Sequence, residues 1–272
     1  MLSVLVYMLI SSSMIVVNKA AVTNSAAPIT TVFLQNLTTI IAMCILRRTY
    51  KFSTAKARAW WDVVIVWFIP LVLSTKALQT LRVEMMIVLR ACTTVGVALF
   101  EWRTLGTGQV LSLTLCVVGC FHYGYLHVSG SAVHGVGWGV LYAVFMVINN
   151  VYTKRAISSN RGLELSEIVL YNNLLSLPLL AGLAVPTETL NTNFSKLWAL
   201  GLSCVLAIGI SYVGTRCRAE LSATAFVMMG NACKIVSVLI NKWWFSQIVT
   251  APDVTALTLT IGGCCMFSLA SE

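Results

Sequence analysis

Ten apolar runs, each long enough to cross a bilayer as a helix, follow one another along the chain with short connections. A hydrocarbon core of about 30 Å needs about 20 apolar residues per helix. Only 10% of the residues are charged, against about 25% in soluble domains. These features exclude a soluble enzyme, a nucleic-acid-binding module and a disordered chain. They predict one all-α transmembrane domain over residues 1–272, with spans at 2–20, 28–46, 62–80, 83–100, 107–126, 134–153, 165–184, 197–214, 221–241 and 252–270.

The basic residues predict the orientation of the spans. Cytosolic loops of membrane proteins are enriched in Lys and Arg. Connections after even-numbered spans carry most of the basic residues here, so both termini are expected in the cytosol. The connection after span 7 then faces the lumen, and it contains a glycosylation sequon at Asn193. A second sequon, at Asn36, lies in an apolar run and is expected to be inaccessible. The basic residues concerned are Arg47, Arg48, Lys51, Lys56, Arg58, Arg103, Lys154, Arg155, Arg161, Arg216 and Arg218.

An internal repeat would give the ten spans two halves of opposite topology. Five helices per half make the inversion automatic, with repeat 1 over about residues 1–130 and repeat 2 over about 131–272. In span 1, Tyr7 precedes Lys19 by the same spacing that separates Tyr142 from Lys154 in span 6. Coincidence among apolar helices is the alternative explanation.

Two cations lie deep inside predicted spans. Lys234 and Arg90 are near the middle of spans 9 and 4, and the sequence places no Asp or Glu at a comparable depth. A charge at this depth costs about 2.5–3.5 kcal/mol on insertion scales and usually marks a cavity or a partner. The pattern predicts a cavity for an anionic ligand and argues against coupling to a proton or cation. The alternative is that either side chain reaches an interface.

Span 7 contains three consecutive hydrogen-bonding side chains, Tyr171, Asn172 and Asn173. Neighbours on a helix are about 100° apart, so at most two of them face one cavity. Amides can bind the edge of a planar base. They can equally join neighbouring helices, and the spacing does not decide between these roles. The sequence shows no pattern typical of a catalytic centre, a metal site or a cofactor site.

Two segments resemble the Golgi GDP-mannose transporters, which are nucleotide-sugar transporters of the drug/metabolite transporter superfamily. Residues 170–176 read Leu-Tyr-Asn-Asn-Leu-Leu-Ser, similar to that family's Phe-Tyr-Asn-Asn-Leu-Leu-Ser motif. Residues 222–234 resemble the segment leading into its Gly-Ala-Leu-Asn-Lys motif. The similarity covers most of the chain in helix order and is strongest over 165–241. It implies ten helices in two inverted halves.

The resemblance assigns a role to each matching residue in spans 1, 7 and 8. Asn172 and Asn173 correspond to the guanine-reading pair, and Tyr171 to the tyrosine that shapes that helix. Ser211 and Tyr7 correspond to the serine of span 8 and the tyrosine of span 1.

In span 9 the match to the family is partial. Gly230 corresponds to the glycine that lets the ligand approach the backbone, and Lys234 to the lysine facing phosphates and sugar. Asn231 replaces the family's alanine, and Phe226 replaces a tyrosine. The base-reading element is therefore kept while the sugar-facing element is altered, which supports guanine selectivity better than mannose selectivity.

The sequence thus predicts a non-enzymatic GDP-sugar:GMP antiporter, with GDP-mannose as the expected sugar, in the Golgi membrane. Its partners are a nucleotide sugar, a nucleoside monophosphate and the lipid bilayer, without nucleic acid, metal or cofactor; a homodimer is left open. Transport is expected to follow alternating access by rocking of the two halves. The alternatives are a UDP-sugar or sugar-phosphate transporter, a receptor or channel, and a membrane enzyme.

Overall fold

The fold is helical throughout the part of the chain that the structure, a computed structural model, describes: residues 2–25, 27–46, 52–80, 83–127, 133–159, 162–187, 197–244 and 250–270. These residues form a short 3₁₀ turn and ten α-helices: α1 (Leu2–Ser25), α2 (Pro28–Leu46), α3 (Thr54–Thr80), α4 (Val83–Glu101), α5 (Thr107–His127), α6 (Val133–Ser158), α7 (Leu165–Thr187), α8 (Leu197–Glu220), α9 (Ala223–Trp244) and α10 (Ala251–Leu269). The sequon at Asn193 lies outside the described residues.

Each predicted span corresponds to one helix, but four helices, α1, α3, α6 and α8, extend well beyond the apolar run. α3 begins at Thr54, where the Ser53 carbonyl accepts the first backbone hydrogen bond from Ala57 at 2.9 Å. α8 continues to Glu220, whose carboxylate pairs with Arg216 at 2.8 Å. α6 likewise continues to Ser158. Hydropathy marks where apolar side chains begin and stop, whereas the helical hydrogen bonds extend into the polar residues on either side.

Four described helices are long and apolar enough to cross a membrane by length and composition. They are the segments Pro28–Leu46, Thr54–Ser74, Leu165–Ala184 and Trp198–Glu220. Four other helices contain shorter apolar segments, namely Ser3–Met14, Thr107–His122, Ala223–Cys233 and Ala251–Phe267.

The first of two compact units, unit 1, comprises Met1–Phe68 and Arg155–Glu220. In it α1 packs against α8, and α2 packs against α7 and α8. Buried polar side chains of α2 join these helices. Gln35 donates from Nε2 to Asn18 and Ser203, at 2.9 and 3.2 Å, and Asn36 donates to the Ser176 hydroxyl at 2.9 Å. Asn36 is 6% exposed, so the prediction that this sequon is inaccessible is confirmed.

The second unit, unit 2, comprises Ile69–Lys154 and Leu221–Glu272. In it α5 packs against α10 and α4, and α9 packs against α4 and α10. The contact between α5 and α10 is close because two of its positions are glycines, Gly119 and Gly263. Ala98, Leu113, Cys116, Cys120, Met228, Ala256 and Phe267 form its largest buried apolar cluster among the described residues.

The two units do not coincide with the two predicted repeats. Unit 1 contains helices from both sequence halves, and so does unit 2. Three of the helix pairs in contact, α2 with α7, α4 with α9 and α5 with α10, are five helices apart in the chain. The internal repeat therefore remains a prediction about symmetry and is not a division into compact bodies.

Candidate functional site

The three consecutive polar residues of α7 have three different environments in unit 1. Tyr171 is fully buried. Its hydroxyl donates to the Ser53 carbonyl at 3.2 Å and accepts from the Ser53 N–H at 3.1 Å, and its ring lies 5.8 Å from that of Phe52. Tyr171 therefore anchors α7 to the residues just before α3.

Asn172 points toward α3. Its Oδ1 accepts a hydrogen bond of 2.8 Å from the indole Nε1 of Trp60, a side chain that is 1% exposed. Within the described part of the chain, the Nδ2 group of Asn172 has no hydrogen-bond partner. Asn172 therefore keeps a hydrogen-bond donor available.

Asn173 is oriented the other way from Asn172, with its nitrogen bonded and its oxygen left without a partner among the described residues. Its Nδ2 donates to the Val169 carbonyl one turn earlier, at 2.7 Å. Its Oδ1 is buried and accepts no hydrogen bond from any described residue. Burying such a group without a partner costs about 1–3 kcal/mol, so this acceptor is a candidate contact for a ligand.

The partners of both amides determine which end is oxygen and which is nitrogen. An indole N–H can only donate, so Asn172 must turn its oxygen toward Trp60. A backbone carbonyl can only accept, so Asn173 must turn its nitrogen toward Val169. The groups left over are a donor on Asn172 and an acceptor on Asn173.

An ion pair holds the start of α7 beside the start of α3. Lys56 Nζ lies 2.9 Å from both carboxylate oxygens of Glu167. The same carboxylate accepts the backbone N–H of Glu164 at 2.9 Å and so caps α7. Together with the Tyr171–Ser53 contact, this pair fixes the register of α3 against α7 near Trp60.

The remaining predicted residues of unit 1 lie on α1 and α8. Tyr7 packs against α8 at Gly214, where an added Cβ would lie 3.2 Å from the tyrosine ring. Ser211 is half-buried, and its carbonyl accepts the Thr215 hydroxyl at 2.7 Å.

Three predicted residues lie on the first half of α9, in unit 2. Asn231 is buried, and its Nδ2 donates to the Thr94 hydroxyl of α4 at 2.7 Å. Phe226 is also buried. At Gly230 an added Cβ would meet no described atom within 4 Å.

The two predicted cations lie outside the described side chains. Lys234 is on α9 one turn after Gly230, and Arg90 is on α4. The structure therefore gives the backbone position of each residue in its helix, and the roles expected of the two side chains stay predictions.

Two residues with evident roles were not predicted from the sequence. Trp60 binds Asn172. Glu101 accepts hydrogen bonds from the N–H groups of Ala223 and Thr224 at the start of α9, at 3.1 and 2.8 Å. A buried indole needs an acceptor and a helix start needs one too, but neither requirement tells which distant residue supplies it.

Comparison with known proteins identifies the family. The chain is 30% identical to GDP-fucose transporter 1 of Arabidopsis thaliana, over 94% of this chain and 82% of that protein. It is 24% identical to GDP-mannose transporter GONST3 of the same plant, over 96% and 76%. It is 26% identical to a GDP-mannose transporter of Yarrowia lipolytica, over 94% and 89%. The chain belongs to the GDP-sugar transporter family.

Family membership confirms the resemblance found in the sequence. Together with the apolar helices it establishes a multi-pass membrane protein, and the named relatives are transporters and not enzymes. A solved protein crystal structure shares the fold, with a TM-score of 0.75 and 15% identity over 100% of this chain and 98% of that one. No protein-family model matches the chain.

Proposed function

We propose that this protein exchanges a cytosolic GDP-sugar for lumenal GMP in the Golgi membrane. Exchange proceeds by alternating access of a ten-span carrier that consists of two inverted repeats and has both termini in the cytosol. The observation that carries the proposal is the pair of oriented amides on α7, in a chain whose relatives are named for GDP-fucose and GDP-mannose. GDP-mannose is the first candidate because the motifs resemble those of GDP-mannose transporters, and the relative at 30% identity adds GDP-fucose as a second candidate.

The free donor and acceptor on α7 complement the edge of guanine. Guanine places the acceptor O6 beside the donors N1–H and N2–H. The Nδ2 group of Asn172 can donate to O6, and the Oδ1 of Asn173 can accept from N1–H or N2–H. Binding would then satisfy the buried acceptor of Asn173, a gain available only with a ligand that carries a matching donor.

We assign binding of the diphosphate to α9 on the resemblance to the family at Gly230, where an added Cβ would meet no described atom within 4 Å. We propose that Lys234, with Arg90, supplies the positive charge that offsets the cost of moving phosphates out of water.

Uracil also presents an acceptor beside a donor, so a UDP-sugar is the second candidate substrate within transporters. The amide pair permits both bases, whereas the names of the relatives favour guanine.

Counterflow in proteoliposomes tests the proposal. Vesicles loaded with GMP should accumulate labelled GDP-mannose or GDP-fucose, and empty vesicles should not. GMP should compete with uptake far better than UMP, and the sugar transported faster identifies the substrate. Equal competition by UMP, or uptake that ignores the internal nucleotide, would refute guanine-linked exchange.

The role of α7 is tested in the same vesicles with Asn173→Ala. We expect this variant to lose most uptake because guanine loses its acceptor. Asn149→Ala removes a comparably buried asparagine of α6 whose Oδ1 accepts from Thr153, and it should retain uptake. If Asn173→Ala still prefers guanine nucleotides over uridine nucleotides, the Asn173 side chain does not recognise the base.

A further inference from the structure

Trp60 is the only described residue that forms a hydrogen bond with the side chain of Asn172. Its indole lies at the start of α3, is 1% exposed, and donates from Nε1 to Oδ1 over 2.8 Å. No resemblance or motif pointed to this residue. Its contact with one amide of the proposed base site suggests a role beyond packing.

An asparagine amide can turn by 180° about its last torsion, which exchanges oxygen and nitrogen at little cost when both ends are free. The Trp60 N–H removes that freedom. If the amide turned, two donors would face each other and a buried indole N–H would lose its acceptor. The contact therefore keeps Oδ1 of Asn172 bound to Trp60 and leaves Nδ2 as the group available to a ligand.

We propose that Trp60 is a specificity-determining positioning residue, which sets the polarity of Asn172 and thereby selects an acceptor such as O6 on the bound base. This inference rests on the proposed function, since it concerns the same α7 site. Without the indole N–H, the Asn172 amide can present either Nδ2 or Oδ1 to the ligand. A base that carries an amino group in place of O6 is then accommodated as well.

The position of Trp60 is itself well defined. The backbone of Ser53 binds the Tyr171 hydroxyl, and Lys56 pairs with Glu167. These contacts hold the first two turns of α3 against α7. The indole therefore cannot follow the amide if it turns, and the hydrogen bond acts as a fixed reference for Asn172.

Trp60→Phe tests the proposal because phenylalanine fills much of the volume and lacks the donor. Trp61→Phe is the matched control, since the adjacent tryptophan is 38% exposed. Labelled GDP-sugar uptake into GMP-loaded vesicles is competed with GMP and with AMP, which carries an amino group where guanine has O6. The readout is the ratio of the AMP and GMP inhibition constants.

We expect the wild type and Trp61→Phe to share a high ratio, and Trp60→Phe to lower it about tenfold, the value of roughly one hydrogen bond. A purely structural role would reduce the amount of active protein and leave the ratio unchanged. An unchanged ratio in Trp60→Phe would overturn the inference.

If Trp60→Phe does not fold, Trp60 is replaced by benzothienylalanine, which keeps the ring shape and substitutes sulfur for N–H. The expected fall and the overturning result are the same. A wild type that shows no preference for GMP would instead refute the proposed guanine recognition, so failure of the two proposals can be told apart.

Discussion

The carboxylate of Glu101, the last residue of α4, accepts hydrogen bonds from both the backbone N–H and the hydroxyl of Thr224, at 2.8 and 2.6 Å. A second N–H, that of Ala223, donates to the same carboxylate. The first N–H groups of a helix have no partner within the helix. Glu101 supplies that partner for α9, the helix that carries Gly230 and Lys234.

We therefore expect Glu101→Ala to lower the free energy of unfolding by about 1–2 kcal/mol, since it removes a capping acceptor and a favourable charge at a helix start. Glu220→Ala is the control, because its ion pair with Arg216 is exposed and should contribute little. Thermal unfolding of the detergent-solubilised protein measures both. Equal melting temperatures for the two variants would show that the hydrogen bonds of Glu101 to the start of α9 do not contribute to stability.

A second prediction concerns the close approach of α5 and α10. An added Cβ at Gly263 would lie 2.5 Å from the backbone nitrogen of Cys116, whereas one at Gly262 would meet no described atom within 4 Å. A backbone atom cannot move aside like a side chain, so Gly263→Ala must separate the helices. Interfaces between membrane helices depend on such small residues.

Gly263→Ala should therefore destabilise the protein by about 1–3 kcal/mol, the usual effect of overpacking, and Gly262→Ala should not. The two alanines have the same helix propensity, so the comparison isolates the contact with Cys116. Thermal unfolding again provides the measurement, and equal stability of the neighbours would contradict the close packing.

The sequence predicted the helices well and the contacts between them poorly. α2 begins and ends at the predicted residues because a backbone in lipid must satisfy its own hydrogen bonds, so an apolar run of sufficient length leaves few alternatives. The start of α3 was placed too late and the end of α8 too early, because polar residues extend both helices beyond their apolar runs.

Contacts between distant residues could not be predicted in this way. Trp60 and Asn172 are 112 residues apart, and Asn231 and Thr94 are 137 apart. Hydropathy shows that a polar side chain in a span needs a partner, but only the packing of helices selects it. The amide pair of α7 was found because its polar residues are consecutive, whereas Trp60 resembled any other aromatic residue of an apolar helix.

A third prediction separates packing from sugar recognition at Asn231, the position where the resembled family has alanine. Its Nδ2 donates to the Thr94 hydroxyl, so Asn231→Ala removes an interhelical hydrogen bond in unit 2. We expect a loss of about 0.5–1.5 kcal/mol in stability, and a similar loss in Thr94→Val, which lacks the same bond.

The relative uptake of GDP-mannose and GDP-fucose provides the second measurement on these variants. If the Asn231 side chain contributes only to helix packing, both variants should keep the wild-type ratio of GDP-mannose to GDP-fucose uptake. A change of ratio in Asn231→Ala but not in Thr94→Val would show that Asn231 also contacts the sugar.

The last prediction concerns the charge at Lys234. A diphosphate carries at least two negative charges, and an uncompensated charge in a low-dielectric cavity is costly. Lys234→Ala should abolish GDP-sugar exchange while the protein still folds, and Lys234→Arg should retain part of it because the charge remains. Lys242→Ala, two turns further along α9, controls for loss of any lysine from this helix. GMP-loaded proteoliposomes measure exchange, and thermal unfolding verifies folding. Undiminished uptake by a folded Lys234→Ala protein would remove this cation from phosphate binding, and equal loss in Lys242→Ala would attribute the effect to net charge.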